Sequence, residues 1–236
     1  PEAAIDRANQ MLQEGADIID VGGESTRPGF TPLDADSESR RIMPVVERLV
    51  RDLKAPVSID TTKAVVAQRA LEAGAQIIND IWGLQQDPDL AAVCGSFGAG
   101  LIIMHNSHTG VYEDLMGDMI RFFCKSIEIA YQGGVKRENL ALDPGVGFGK
   151  DLSQNLETVR RLQELRVLGL PLLLGTSRKS LVGLVLNLPT QERLEGTAAT
   201  VALGIAYGAD FVRVHDVRAM KRVALMSDAV VRPDPV

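Results

Sequence analysis

Short apolar runs recur along the chain, and each gives way to polar residues at its C-terminal end. Ile18-Ile19-Asp20-Val21 leads into Gly22-Gly23-Glu24, Val57-Ser58-Ile59 into Asp60-Thr61, and Ile77-Ile78 into Asn79-Asp80. Leu101-Ile102-Ile103-Met104 leads into His105-Asn106, and Leu140-Ala141-Leu142 into Asp143-Pro144-Gly145. Leu172-Leu173-Leu174 leads into Gly175-Thr176-Ser177-Arg178-Lys179-Ser180, and Phe211-Val212 into Arg213-Val214-His215-Asp216. These seven runs predict seven strands. Between them, helical periodicity predicts helices over Ala4–Gln13, Ser37–Leu53, Thr62–Ala73, Leu115–Gln132, Gln154–Leu168 and Gly196–Tyr207. Asp36 or Ser37 is expected to cap the second helix, and Asp216 to sit at the start of a last one. Gly15-Ala16, Gly74-Ala75, Gly98-Ala99 and Gly208-Ala209 read as one repeated joint, a left-handed helix cap followed by a strand.

Strand and helix alternating over the whole length imply a parallel sheet with right-handed crossovers. Seven units with polar strand ends suit an α/β (β/α)₈ TIM barrel better than a doubly wound sheet. The chain opens on a helix, so the first β-strand of such a barrel is expected before Pro1. No linker or low-complexity tract breaks residues 1–236, which read as a single domain.

Bulk properties narrow the partners. At 236 residues and 45% hydrophobic, the chain can bury a core without staples. A net charge of −6 argues against a nucleic-acid surface, while leaving room for a local anion site. No apolar stretch approaches a membrane span, and no signal peptide opens the chain. The two cysteines, Cys94 and Cys124, form neither a metal spacing nor a disulfide framework, so a cytoplasmic location is expected.

The strand ends carry the candidate chemistry. Asp60, Asn79 and Asp143 sit among apolar residues on three strands. A desolvated carboxylate needs hydrogen-bond partners, and two oxygens on one face suit an N–H beside an NH₂, as in pterins and guanines. The plainer alternative is that such residues only close turns. Lys179 follows an apolar strand and is expected to aim inward, whereas Arg178 reads equally well as a structural ion pair. Arg213 and His215 lie two apart, so they face the same side and suit a di-anion; the loops after the seventh and eighth strands are a frequent phosphate site in barrels. The plainer reading there is an Arg–Asp pair plus a packed His. Gly22 to Gly29 reads as a functional loop in which Glu24 is either an acid–base group or a tether. Phe148 offers an aromatic wall, and Met104 is the better pocket candidate beside Trp82. His105 and His108 have no zinc spacing.

Six collinear strings carry a resemblance: residues 22–29 (Gly-Gly-Glu-Ser-Thr-Arg-Pro-Gly), 58–61, 77–80, 142–150, 176–180 and 213–216. Together they resemble the dihydropteroate synthase family, the pterin-binding TIM barrels of folate biosynthesis that sulfonamides inhibit. The resemblance implies condensation of 6-hydroxymethyl-7,8-dihydropterin diphosphate with 4-aminobenzoate, with loss of diphosphate, in a homodimer using Mg²⁺. It implies pterin contacts from Asp60, Asn79, Asp143 and Lys179, to which the strand-end position of Met104 adds a fifth. It implies diphosphate contacts from Arg213 and His215, which with Lys179 would be the catalytic set. It implies aminobenzoate contacts from Thr26, Arg27, Pro28 and Ser180, with Phe148 nearby. The family's first-strand motif, which supplies its metal-linked Asn, has no counterpart here, so no metal ligand is assigned. A methyltetrahydrofolate-dependent methyltransferase barrel would share the pterin contacts, and a non-catalytic pterin-binding scaffold is a further alternative.

Overall fold

The computed structural model describes residues 2–24 and 33–232. It divides into two compact units: Pro1–Ile103 with Lys125–Leu140, and Met104–Cys124 with Ala141–Val236.

The first unit is built on β1 (Ile19–Gly22), β2 (Val57–Asp60), β3 (Ile77–Asp80) and β4 (Gly100–Met104), side by side and parallel in that order. Gly22 pairs with Asp60 and Asp60 with Asn79, so the polar strand ends are level. Ile19, Val57, Ile59, Ile78, Leu101 and Ile103 are buried, as parallel strands covered by helices must be. The covering helices are α1 (Glu2–Gln13), α2 (Ala35–Asp52), α3 (Ala64–Glu72) and α4 (Asp89–Phe97). α5 (Leu115–Gln132) starts in the second unit and ends in the first. Each of the four Gly-Ala joints is a Schellman turn; at Gly98, φ is 62°, and the next amide, Ala99 N–H, reaches back to the Cys94 carbonyl at 3.0 Å.

The second unit contains most of β5 (Leu140–Asp143), with Leu142 bridged in parallel to Leu172, and a parallel pair of β6 (Leu173–Leu174) and β7 (Phe211–Val212). α6 (Leu152–Arg160), α7 (Ser180–Leu186), α8 (Leu194–Ala206) and α9 (Val217–Val231) follow. Val201, Ile205 and Met220 form a buried cluster against Val212 and Val214.

Three expectations need correction. The cap of α2 is Asp34, whose carboxylate accepts the Ser37 N–H at 2.8 Å; Asp36 and Ser37 lie inside the first turn. The helix expected over 154–168 stops at Arg160 and continues as a 3₁₀ segment, Leu162–Leu168. A period of three stacks Leu162, Leu165 and Leu168, and the first two are fully buried. α4 was not predicted, although Leu90, Ala91 and Cys94 already mark its buried face. Among the described residues no helix is long and apolar enough to cross a membrane.

Candidate active site

In the first unit, Asp60 and Asn79 end neighbouring strands. Asp60 is half-buried and Asn79 is 6% exposed. The Asn79 Oδ1 is buried and accepts no hydrogen bond among the described residues. Buried acceptors rarely stay unpaired, so this atom points to a ligand donor. Its neighbour Asp80 does the turn-closing that the plainer reading gave to all such residues. Its carboxylate accepts N–H groups of Trp82 (2.8 Å) and Leu84 (2.6 Å), and burial lifts its pKa to about 6. Glu24 is a tether here: Lys63 Nζ lies 2.6 Å from both Glu24 and the buried Glu38. Thr26, Arg27 and Pro28 lie outside the described residues.

In the second unit, Asp143 ends β5 and is buried. Its Oδ1 accepts the Gly145 N–H at 2.7 Å. Burial raises its pKa, while the charges of Lys179, Arg213 and Lys150 pull it down. The charges of three cations thus act on one carboxylate. Lys179 is the residue before α7; its ammonium donates to the Val146 carbonyl and lies 4.7 Å from the centre of the Phe148 ring. Lys179, Val146 and Phe148 therefore meet as one group beside Asp143. Met104 is buried, its Cγ beside Gly145. Ser180 is exposed at the first position of α7.

Arg213 and His215 follow β7, and both are exposed. The His215 backbone N–H donates to Ser177 Oγ at 3.1 Å, and its Nδ1 lies 3.0 Å from the same oxygen. Partial burial, then the charges of Arg213 and Arg178, lower the imidazole pKa. The Arg–Asp pair of the plainer reading exists, but with Arg178: its Nε and Nη2 hold Asp216 at 2.9 and 2.5 Å. Asp216 accordingly precedes α9 without capping it through its side chain.

The sequence reading missed Lys150, the last residue of the glycine-rich string. Its side chain is half-buried, and its ammonium donates to His105 Nδ1 at 2.9 Å and to the carbonyls of Gly145 and Phe148 at 3.1 Å each. Burial takes its pKa down to about 7, against the pull of Asp143, and takes that of His105 down to about 3. His105 is thus a neutral, packed imidazole, with its ring edge-on to Phe122 at 4.8 Å. Among the described residues no three of His, Cys, Asp and Glu cluster as a cation site. The described residues do not by themselves fit Mg²⁺.

Residues 1–215 match the pterin binding enzyme family. The chain is similar to the dihydropteroate synthase of Clostridium beijerinckii, 50% identical over 98% of this chain and 86% of that protein. It is 48% identical to that of Bacillus subtilis, over 97% of this chain and 80% of the relative. Among solved structures, a Clostridium difficile dihydropteroate synthase in the presence of pteroic acid matches with TM-score 0.96 and 52% identity, over 98% and 88% of the two chains. One from Xanthomonas albilineans with 4-aminobenzoic acid matches with TM-score 0.94 and 36% identity, over 99% and 86%. The fold is accordingly that of an α/β TIM barrel.

Proposed function

The chain belongs to the dihydropteroate synthase family of pterin-binding enzymes, and on that premise we propose a role for each residue at its strand ends. The enzyme is a transferase that condenses 6-hydroxymethyl-7,8-dihydropterin diphosphate with 4-aminobenzoate to 7,8-dihydropteroate and diphosphate. The uninterrupted family match supports one catalytic domain spanning both units.

Asp60, Asn79, Asp143, Lys179 and Met104 bind the pterin. The observation that carries this is Asp143, a buried carboxylate at a strand end with one oxygen accepting the Gly145 N–H and three cations acting on its charge. A carboxylate in such a place, with two oxygens as acceptors, matches the N–H/NH₂ edge of a pterin. Asn79, with its unfilled Oδ1, takes a further ring donor. Lys179, aimed by Val146 and Phe148, donates to a pterin acceptor. Phe148, Ser180, Thr26, Arg27 and Pro28 hold the aminobenzoate.

Arg213 and His215 hold the diphosphate. As the methylene carbon–oxygen bond breaks, the electron pair leaves with diphosphate, so negative charge grows on oxygens that these side chains face. The electron-rich pterin spreads the positive charge left behind. The arylamine nitrogen then attacks the methylene and loses its proton to water. A weakly basic amine needs no strong general base. That fits a site in which His105 is buried and Lys150 is engaged with it and with two loop carbonyls.

The test is diphosphate release by purified protein with the pterin diphosphate, with and without 4-aminobenzoate. Release coupled to dihydropteroate formation is expected, and Arg213→Ala is expected to lower kcat/KM by about 10²–10³. Unchanged turnover in that variant would remove Arg213 from the site. Repeating the assay with a chelator tests the Mg²⁺ requirement that the resemblance implies.

A homodimer is supported by exposed apolar side chains on the adjoining helices α7 to α9: Leu184, Val185, Leu203, Leu225, Met226 and Val230. Sedimentation velocity is expected to show a dimer at micromolar concentration; a monomer there would dismiss it. Two free thiols and the lack of a membrane-spanning helix among the described residues support a cytoplasmic location.

A further inference from the structure

We propose that Lys150 is a positioning residue that aims Lys179 at the pterin by clamping the glycine-rich loop on which Lys179 rests. The proposal rests on the reading of Lys179 as a pterin ligand.

An ammonium has three donors and no acceptor. Lys150 spends all three on one structure: His105 Nδ1, the Gly145 carbonyl and the Phe148 carbonyl. The two carbonyls bracket the stretch of loop that touches Lys179. Val146 accepts from the Lys179 ammonium, Phe148 lies beneath it, and a Cβ on Gly147 would come within 3.1 Å of the Lys179 side chain. Other bonds also hold this loop: Phe148 N–H donates to the Gly145 carbonyl at 3.0 Å, Gly145 N–H to Asp143 Oδ1 at 2.7 Å, and Asn155 Nδ2 to the Lys150 carbonyl at 3.0 Å. Gly147 N–H donates to Asn155 Oδ1 at 2.6 Å, and Tyr112 Oη donates to the Gly149 carbonyl at 2.7 Å. With three glycines at positive φ, the loop has little preference of its own for this shape. His105 completes the clamp. Its Nδ1 accepts, so its proton sits on Nε2 and the ring stays neutral. Its own backbone N–H donates to the Asp143 carbonyl at 2.9 Å, tying the clamp to the strand that carries the pterin carboxylate.

A catalytic role for Lys150 does not fit. Its nitrogen has no direction left in which to reach a substrate, because every donor is engaged inside the protein. A structural role in general folding is the real competitor, and the experiment must separate the two.

The experiment is a double-mutant cycle on the full chain, reading pterin affinity by calorimetry and the KM of each substrate. Lys150→Met is expected to weaken pterin binding about 10- to 100-fold, taking as the guide the loss seen when the residues that orient metal ligands are removed. The KM for 4-aminobenzoate should rise by a smaller factor, since the clamp holds the Phe148 carbonyl as well and Phe148 is placed beside that substrate. In a Lys179→Met background, the Lys150→Met loss should vanish, because nothing remains to be aimed. Equal losses in both backgrounds would overturn the proposal. Lys179→Met that leaves pterin affinity unchanged would instead overturn the site assignment on which it rests. Should Lys150→Met not fold, His105→Phe removes one arm of the clamp while keeping an aromatic ring. It should show a smaller loss with the same dependence on Lys179, and a loss independent of Lys179 would count against the proposal.

Discussion

Asp143→Asn is expected to raise the pterin dissociation constant by two to three orders of magnitude while leaving the unliganded protein at least as stable. The first half follows from hydrogen bonding. A carboxylate accepts two bonds from an N–H/NH₂ edge; an amide accepts one and presents a clashing NH₂ for the other. Charge-assisted bonds are worth roughly 1.5–3 kcal/mol each, so losing one and spoiling the other costs about 3–4 kcal/mol. The second half follows from linkage. Burial holds the Asp143 pKa above its ordinary value despite the three cations, so the folded state disfavours the ionised form. A raised acid pKa means that stability is fullest below the ordinary carboxylate pKa and is lost as pH rises through the folded value. At neutral pH the carboxylate therefore costs stability, and a neutral Asn of the same shape removes that cost. Asn Oδ1 still accepts the Gly145 N–H, so the turn survives. Calorimetric titration with a pterin and a thermal melt check the two halves. Unchanged pterin affinity would take Asp143 out of the site, and a large fall in melting temperature would show that its charge is structural.

Much of this was legible in the chain because parallel strands concentrate polarity at one end. The seven apolar runs match the seven strands to within a residue or two. Asp60, Asn79, Asp143 and Lys179 stood out because each interrupts an apolar context at such an end. Long-range pairings were less legible. His105 and Lys150 are 45 positions apart, and nothing local says that they touch. In the sequence Lys150 only closes a glycine-rich string; its three bonds exist only once the strands are laid down. Likewise Asp216 had two uses, an N-cap or an ion pair, and the left-handed turn at Arg178 (φ 57°) decided for the pair by bringing that guanidinium onto it. The cap of α2 fell on Asp34 rather than Asp36 because three residues separate a capping side chain from the amide it accepts, and Ser37 supplies that amide.

Gly145→Ala is expected to be the most damaging single-atom change in the second unit, and its cost separates into two parts. Gly145 has φ of 67°, a left-handed conformation that costs an L-residue roughly 1–2 kcal/mol. A Cβ there would also run into the carbonyl oxygen of His105, with that carbonyl's carbon only 3.1 Å away. The obstacle is backbone, held in place by the Asp143 pairing, so it cannot swing aside as a side chain would. Overpacking of this kind adds about 1–3 kcal/mol. Gly98→Ala supplies the control, since Gly98 has nearly the same φ, 62°, with nothing within 4 Å of a built Cβ. It should lose the conformational part alone. Urea unfolding is expected to place Gly145→Ala about 1–3 kcal/mol below Gly98→Ala, with similar slopes. Equal losses would mean that the His105 carbonyl yields easily and that the loop is softer than its hydrogen bonds imply. The larger loss should also carry a functional mark that Gly98→Ala lacks. Gly145 donates to Asp143 and its carbonyl receives Lys150, so pushing it off His105 disturbs the pterin carboxylate and the clamp on Lys179 together.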